Sequence, residues 1–141
     1  MKEILFRAKR TDRDKWVQGY YVFNTNGFDF DDDEYKEYHR IQPLQPNGML
    51  DIIREVDPAT VGQYTGLKDK NGTKIFEGDI VKRLFYLERP VLSVVTFKNG
   101  AFGLEWNRGK VKEFLAFTSI CNCTYEVIGN IHDNAELLGD I

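Results

Sequence analysis

The sequence predicts a mainly β fold with minimal helix, and three observations carry that prediction. Ten Phe and seven Tyr in 141 residues favour pleated, half-buried surfaces, where aromatic side chains pack against cross-strand neighbours. Short β-branched and aromatic runs recur at spacings of roughly 8–12 residues with turn signals between them, the pattern of a small barrel or sandwich. No long stretch keeps apolar residues at i, i+3, i+4 and i+7, so any helix is short. A chain of this length buries roughly two-thirds of its unfolded surface and sustains its own core. A shift in composition near Pro58 separates an N-terminal β subdomain, residues 1–57, from a barrel-like C-terminal β subdomain, residues 58–141, as two lobes or as parts of a single domain.

Residues 4–9, Ile-Leu-Phe-Arg-Ala-Lys, form the first expected strand and residues 15–23 the second, joined as a hairpin across the polar turn Thr11-Asp12-Arg13-Asp14. Asn24-Thr25-Asn26-Gly27 closes the second strand. Residues 28–38 alternate aromatic and acidic side chains and then lose the pattern, as in a mobile loop or an exposed edge strand whose charges discourage edge-to-edge pairing. Residues 39–48 hold two of the four prolines and the turn Pro46-Asn47-Gly48, and read as a connector. Residues 49–56 are a further strand candidate. Asp57-Pro58-Ala59-Thr60 then redirects the chain, because proline suits a turn or a first helical position.

Residues 61–81 are the densest run of turn signals, with four glycines. Asn71-Gly72, between short runs of strand character, suits a two-residue type I′ hairpin in which both central residues take positive φ. Glu77-Gly78-Asp79 turns the chain into Ile80-Val81; glycine supplies positive φ, and the aspartate can accept neighbouring backbone N–H groups. Residues 79–86, 91–97 and 101–106 follow as a meander, with a second Asn-Gly turn at Asn99-Gly100. Residues 111–117 and 124–131 add two strands. Residues 133–138 form one capped helical turn ending at Gly139.

With 19 basic against 22 acidic residues the formal charge is −3, so no global positive field attracts a phosphate backbone and nucleic-acid binding needs a local patch. Cys121 and Cys123 stand two apart in an expected strand and share a face, but a disulfide across one residue would strain a regular strand. They read as reduced, largely buried thiols. With His39 and His132 they lack the paired spacings of a zinc site, and no metal or cofactor is expected. The apolar run Ile4-Leu5-Phe6 is far shorter than a signal-peptide or membrane-spanning segment, so a cytoplasmic protein with no membrane contact is expected.

The run from Val61 through Asn71-Gly72 and Glu77-Gly78-Asp79 to Val81 closely resembles the signature of the YopX family of phage and prophage proteins. Leu5-Phe6-Arg7-Ala8 with Lys15-Trp16 is similar to the family's opening strand and turn, and residues 125–138 to its closing motif. The chain departs from the pattern at Ala135, where the family often has proline, and in the variable acidic stretch at residues 29–37. The resemblance implies a mainly β fold encoded in bacterial mobile elements. It brings no established activity and no catalytic residue.

The Glu77-Gly78-Asp79-Ile80-Val81 turn also resembles the opening of SH3-like barrels, which often host ligands, so fold analogy points to a binding module. The candidate binding surface is Lys68, Lys70, Lys74, Lys82 and Arg83 with Tyr64 interleaved: cations neutralise phosphates and aromatics stack on bases. Asp69, Glu77 and Asp79 reduce that local excess, and a charged outer strand face is the simpler reading. Asp29, Asp31, Asp32, Asp33 and Glu34 offer carboxylates to a hard cation but lack the spacing of a calcium loop; a solvated loop fits them better, with a contact to a basic protein, or a DNA-mimicking stripe, as a further use. His39 and His132 have no serine or cysteine neighbour in sequence and read as surface or turn residues. An enzyme would bring His132 beside Cys121 or Cys123 in a cleft. The expected function is therefore a noncatalytic interaction or binding module of a mobile element, self-associating as a homo-oligomer through exposed β edges and aromatics. Nucleic-acid binding is the alternative, and an enzyme of unknown reaction the second alternative.

Overall fold

A computed structural model describes residues 3–25, 37–84, 90–119 and 124–139. Among them the chain is mainly β: every strand pairing is antiparallel, and helix is confined to three short 3₁₀ turns. The expected mainly β fold is met. The chain separates into two compact units, Met1–Gln63 and Tyr64–Ile141. The acidic cluster from Asp29 to Glu34 and the cysteines Cys121 and Cys123 lie outside the described residues.

The first unit contains β1 (Phe6–Lys9), β2 (Trp16–Thr25), β3 (Glu37–Pro43) and β4 (Arg54–Glu55), and the beginning of β5 (Gly62–Lys68). The expected hairpin is present, with Phe6 opposite Gly19 and Lys9 opposite Trp16. β3 pairs β2 on its other side, β4 pairs β3, and Gly62 and Gln63 pair β1. Alternation along these strands buries Ala8, Ile41 and Val56, with Phe6, Val17, Tyr21 and Val61 packed against them. At Gly19 the strands approach so closely that a Cβ would stand 2.1 Å from the Gln42 carbonyl oxygen. The 3₁₀ turn Pro58–Thr60 is capped by Asp57, whose carboxylate accepts the Ala59 N–H at 3.0 Å. The Thr60 hydroxyl accepts the Lys9 N–H at 2.8 Å and fastens the turn to β1.

Two expectations for this unit are corrected. Residues 39–43, read as a connector, belong to β3, whose whole length pairs β2, with these five opposite Phe23 through Gly19. Only Ile41 among them is a buried apolar residue, so the ladder to β2 and not local pattern makes this a strand. Residues 49–53, read as strand, carry no ladder. Pairing resumes only at Arg54–Glu55, preceded by an isolated bridge between Leu44 and Leu50. The Pro46-Asn47-Gly48 turn does form, with Gly48 at φ 82 and its N–H on the Gln45 carbonyl.

In the second unit β5 continues and pairs β6 (Lys74–Phe76). β7 (Asp79–Leu84), β8 (Val91–Lys98), β9 (Ala101–Arg108), β10 (Val111–Ala116) and β11 (Thr124–Asn130) make a five-stranded sheet in the order β10-β9-β8-β7-β11. The expected meander is there. Among the described residues the sheet is not closed into the expected SH3-like barrel form: β11 returns to pair β7, which leaves β10 and β11 at its opposite edges. One face buries Ile75, Val81, Val95 and Leu104, with Trp106, Phe117, Tyr125 and Val127 against them. Register places Ile80, Val94 and Glu105 together on the other face.

The type I′ geometry expected at Asn71-Gly72 is found at the other Asn-Gly turn. Asn99 and Gly100 both have positive φ, 51 and 79, between the paired Lys98 and Ala101, so the two-residue type I′ hairpin is here. At Asn71-Gly72 only Gly72 has positive φ. The Gly72 N–H bonds to the Asp69 carbonyl at 3.0 Å and the Asp69 N–H to the Thr73 carbonyl at 2.8 Å. That is a three-residue loop, a type I turn followed by a left-handed glycine. Its cause is Asp69, whose Oδ1 accepts the N–H groups of Asn71 and Thr73 at 2.8 and 2.9 Å and so favours the turn that presents both.

Candidate functional site

Asp69 also ties the hairpin down. Its Oδ2 accepts the Val127 N–H at 3.0 Å, and the Lys70 N–H bonds to the Tyr125 carbonyl at 3.0 Å, so the loop is fastened to β11. Burial pushes the Asp69 carboxyl upward, but three backbone N–H groups and nearby Lys70 outweigh it and hold the group below its ordinary value.

This geometry disperses the candidate surface. Tyr64 is 4% exposed and stacks on Phe76 at 5.5 Å; Arg83 is 4% exposed, with its guanidinium over the Trp106 ring at 4.6 Å. Both serve the core of the second unit. Lys74 covers the Tyr64 ring at 5.3 Å, and Lys70 pairs with Glu126 at 3.3 Å. Lys68 is exposed opposite Lys74, and Lys82 is half-buried opposite Glu126.

The Glu77-Gly78-Asp79 turn is structural. Asp79, buried, accepts the Phe76 N–H at 2.8 Å, while the Gly78 N–H and carbonyl bond to Val95 and Ile131. The closing motif is a second lock. The Asn130 side chain accepts the N–H groups of His132 and Asp133 at 3.0 and 2.9 Å, and the Asn134 carboxamide oxygen accepts the Asn130 N–H at 3.2 Å. A Cβ at Gly129 would lie 2.5 Å from that oxygen, which explains the glycine.

His39 belongs to β3 and not to a turn. It is half-buried, hydrogen-bonded through Nδ1 to the Tyr21 hydroxyl, tilted against the Phe23 ring at 4.9 Å and 3.5 Å from Glu37 through Nε2. Burial, and then the Glu37 charge, push the Tyr21 hydroxyl above its ordinary value, the opposite of what a nucleophile needs. His132 is exposed beside Gly78, in the Asn130 lock.

The concave feature was not anticipated from sequence. On the face of the second unit's sheet away from its core lies a groove of about 590 Å³, bordered by β8, β9, β10 and the 3₁₀ turn Ala135–Leu138. Leu92, Val94, Ala135 and Leu138 are its apolar lining; Glu105 and Asn107 on β9 and Lys112 on β10 line its polar side. The Glu105 carboxylate bonds to Lys98 and lies 3.4 Å from Lys112. The Lys98 hydrogen bond is the largest influence on it and, with Lys112, outweighs burial to hold its carboxyl below the ordinary value.

The first unit presents a different feature. Met49, Leu50 and Ile52 are 63%, 66% and 66% exposed, and Leu44 and Ile53 are exposed beside them. Scattered apolar side chains are ordinary on a surface, whereas here five within ten residues concentrate apolar exposure in one segment.

The crystal structure of protein EF1440 from Enterococcus faecalis is similar to this chain, with 27% sequence identity, a TM-score of 0.54, and coverage of 98% of this chain and 99% of that one. No curated protein matches. The family model described as YopX protein matches residues 5–139, a span that includes the Asp69 loop, the Asp79 turn and the Asn130 lock. The chain belongs to the YopX family.

Proposed function

We propose that this protein is a noncatalytic interaction module that assembles with a second copy of itself through residues 44–53. The exposed apolar cluster Leu44, Met49, Leu50, Ile52 and Ile53 carries the reading. Next to it in sequence, β4 is not a free edge, because the Thr11 N–H bonds to the Glu55 carbonyl at 3.2 Å and Arg10 bridges Val56, so the apolar side chains themselves supply the self-contact. Carriage on a phage or prophage, which rests on the family resemblance, and residence in the cytoplasm, which rests on the short apolar run Ile4-Leu5-Phe6, belong to the same proposal. Light scattering after size exclusion at high micromolar concentration tests it: a dimer or larger assembly is expected, reverting to monomer in the Leu50→Asp, Ile52→Asp double variant. A monomeric wild-type chain overturns the proposal.

Nucleic-acid binding keeps one supporting observation, moved from the Lys68 to Lys74 loop to the first unit. Arg7 and Lys9 lie over the Trp16 ring at 4.9 and 5.6 Å, Arg40 over Tyr38 at 4.5 Å, and exposed Tyr20 follows along β2. Cations among aromatics on a sheet face suit single-stranded nucleic acid. Fluorescence anisotropy with a labelled single-stranded oligonucleotide in low salt decides it; no binding at tens of micromolar protein ends this reading.

A further inference from the structure

From the groove on the second unit's sheet we infer a binding site for a small apolar molecule that ends in a carboxylate. Its volume of about 590 Å³ falls within the range of small-molecule sites, about 300–1,000 Å³. Leu92, Val94, Ala135 and Leu138 offer an apolar body somewhere to go, and the polar groups Glu105, Asn107 and Lys112 line one side, on β9 and β10. That polarity suits a ligand with a single charged terminus.

The sign of the charge follows from the side chains. Glu105 is ionised and already engaged by both Lys98 and Lys112, so two ammonium groups face one carboxylate. The excess of one positive charge is most accessible at Lys112, which is 68% exposed while Glu105 is 14% exposed. Lys82, facing Leu92 across β7 and β8, adds a cation to the same sheet face, and Glu126 beyond it is engaged by Lys70 at 3.3 Å. Four lysines against two glutamates make this face attractive to anions; Glu136, on the neighbouring 3₁₀ turn, is exposed and does not line the groove. A ligand ammonium would meet the lysine excess, and a neutral hydrocarbon would leave Lys112 without a new partner. An anionic head meets Lys112 on the polar side while its tail covers Leu92 and Val94.

Isothermal titration of the full chain with octanoate, octylammonium and octanol tests the site. Octanoate should bind at least about tenfold more tightly than either analogue. Lys112→Glu, a change at an exposed side chain, should weaken octanoate by a similar factor without altering the circular dichroism spectrum, and Val94→Trp should abolish binding by filling the groove. Equal binding of octanoate and octylammonium overturns the inference, as does an unchanged affinity in Lys112→Glu or no heat at millimolar octanoate. A leucine-terminated peptide that binds better than octanoate, and loses affinity when its terminus is amidated, replaces the small acid with a protein C-terminus and also overturns it.

Discussion

The carboxylate of Asp69 accepts the backbone N–H of Val127 at 3.0 Å, across 58 positions of sequence. Its other oxygen holds the N–H groups of Asn71 and Thr73, so one side chain shapes a hairpin and attaches it to the edge strand β11. Hydrogen bonds to a charged acceptor contribute more than neutral ones. Asp69→Ala should therefore cost about 3 kcal/mol, which is less than the sum of three such bonds because the loop can relax toward water. Urea denaturation followed by tryptophan fluorescence measures it.

The same carboxylate has a pH signature. Its folded pKa is depressed, so its contribution is fully present above the unfolded value of about 3.9 and is lost as pH falls through the folded value. Asp69→Asn has no such titration. The stability gap between wild type and Asp69→Asn should hold constant from neutral pH down to about pH 5 and narrow below about pH 4. A gap that stays constant down to pH 2 would contradict this account of the hairpin.

Two Asn-Gly pairs with the same spelling should respond unequally to substitution. Asn99 holds φ 51, a conformation in which alanine is strained, whereas Asn71 has no positive φ and contributes its backbone N–H to Asp69. Asn99→Ala should cost about 1 kcal/mol, and Asn71→Ala less than about 0.5 kcal/mol. Paired urea titrations of the two variants give the comparison directly.

These turns also show what a sequence can and cannot disclose. Asn-Gly flanked by strand-like runs locates a hairpin, and both hairpins form; choosing between loop types at Asn71 depends on an aspartate two residues earlier whose second oxygen is aimed at Val127. His39 to Pro43 holds one buried apolar residue, so its strand character comes from β2 and is silent locally. Met49 to Ile53 errs the other way, because its apolar side chains suggest a buried strand and are exposed. The groove was illegible for a further reason: Leu92, Glu105, Lys112 and Leu138 come from four separate elements and carry no motif. Lys68, Lys74 and Tyr64 were conspicuous through their neighbours in sequence, while burial of Tyr64 is settled by its stacking on Phe76.

Gly19, Gly103 and Gly129 lack special φ and are required by proximity, and the first and last should differ in cost. A Cβ at Gly19 would sit 2.1 Å from the Gln42 carbonyl oxygen and 2.8 Å from the Pro43 Cα, both backbone atoms of the paired strand. At Gly129 the nearest obstacle is the Asn134 side chain, which can rotate if it gives up the Asn130 N–H. Gly19→Ala should cost on the order of 4 kcal/mol, because the β2–β3 ladder must part, and Gly129→Ala about 2 kcal/mol. Thermal melts rank them: Gly19→Ala should melt lowest.

Ser93 offers a change in the stabilising direction. It lies on β8 opposite Val81, is 0% exposed, and its hydroxyl has no hydrogen-bond partner among the described residues. A buried hydroxyl without a partner carries its full desolvation cost, and the neighbouring Val81 and Val95 present only hydrocarbon side chains. Ser93→Ala removes that cost at the price of a cavity smaller than one methyl group. A gain of about 1 kcal/mol is expected, read as a higher urea midpoint with an unchanged slope. A loss of stability would mean that the hydroxyl is satisfied in solution, by a bound water or by a rotamer that reaches a β-sheet carbonyl.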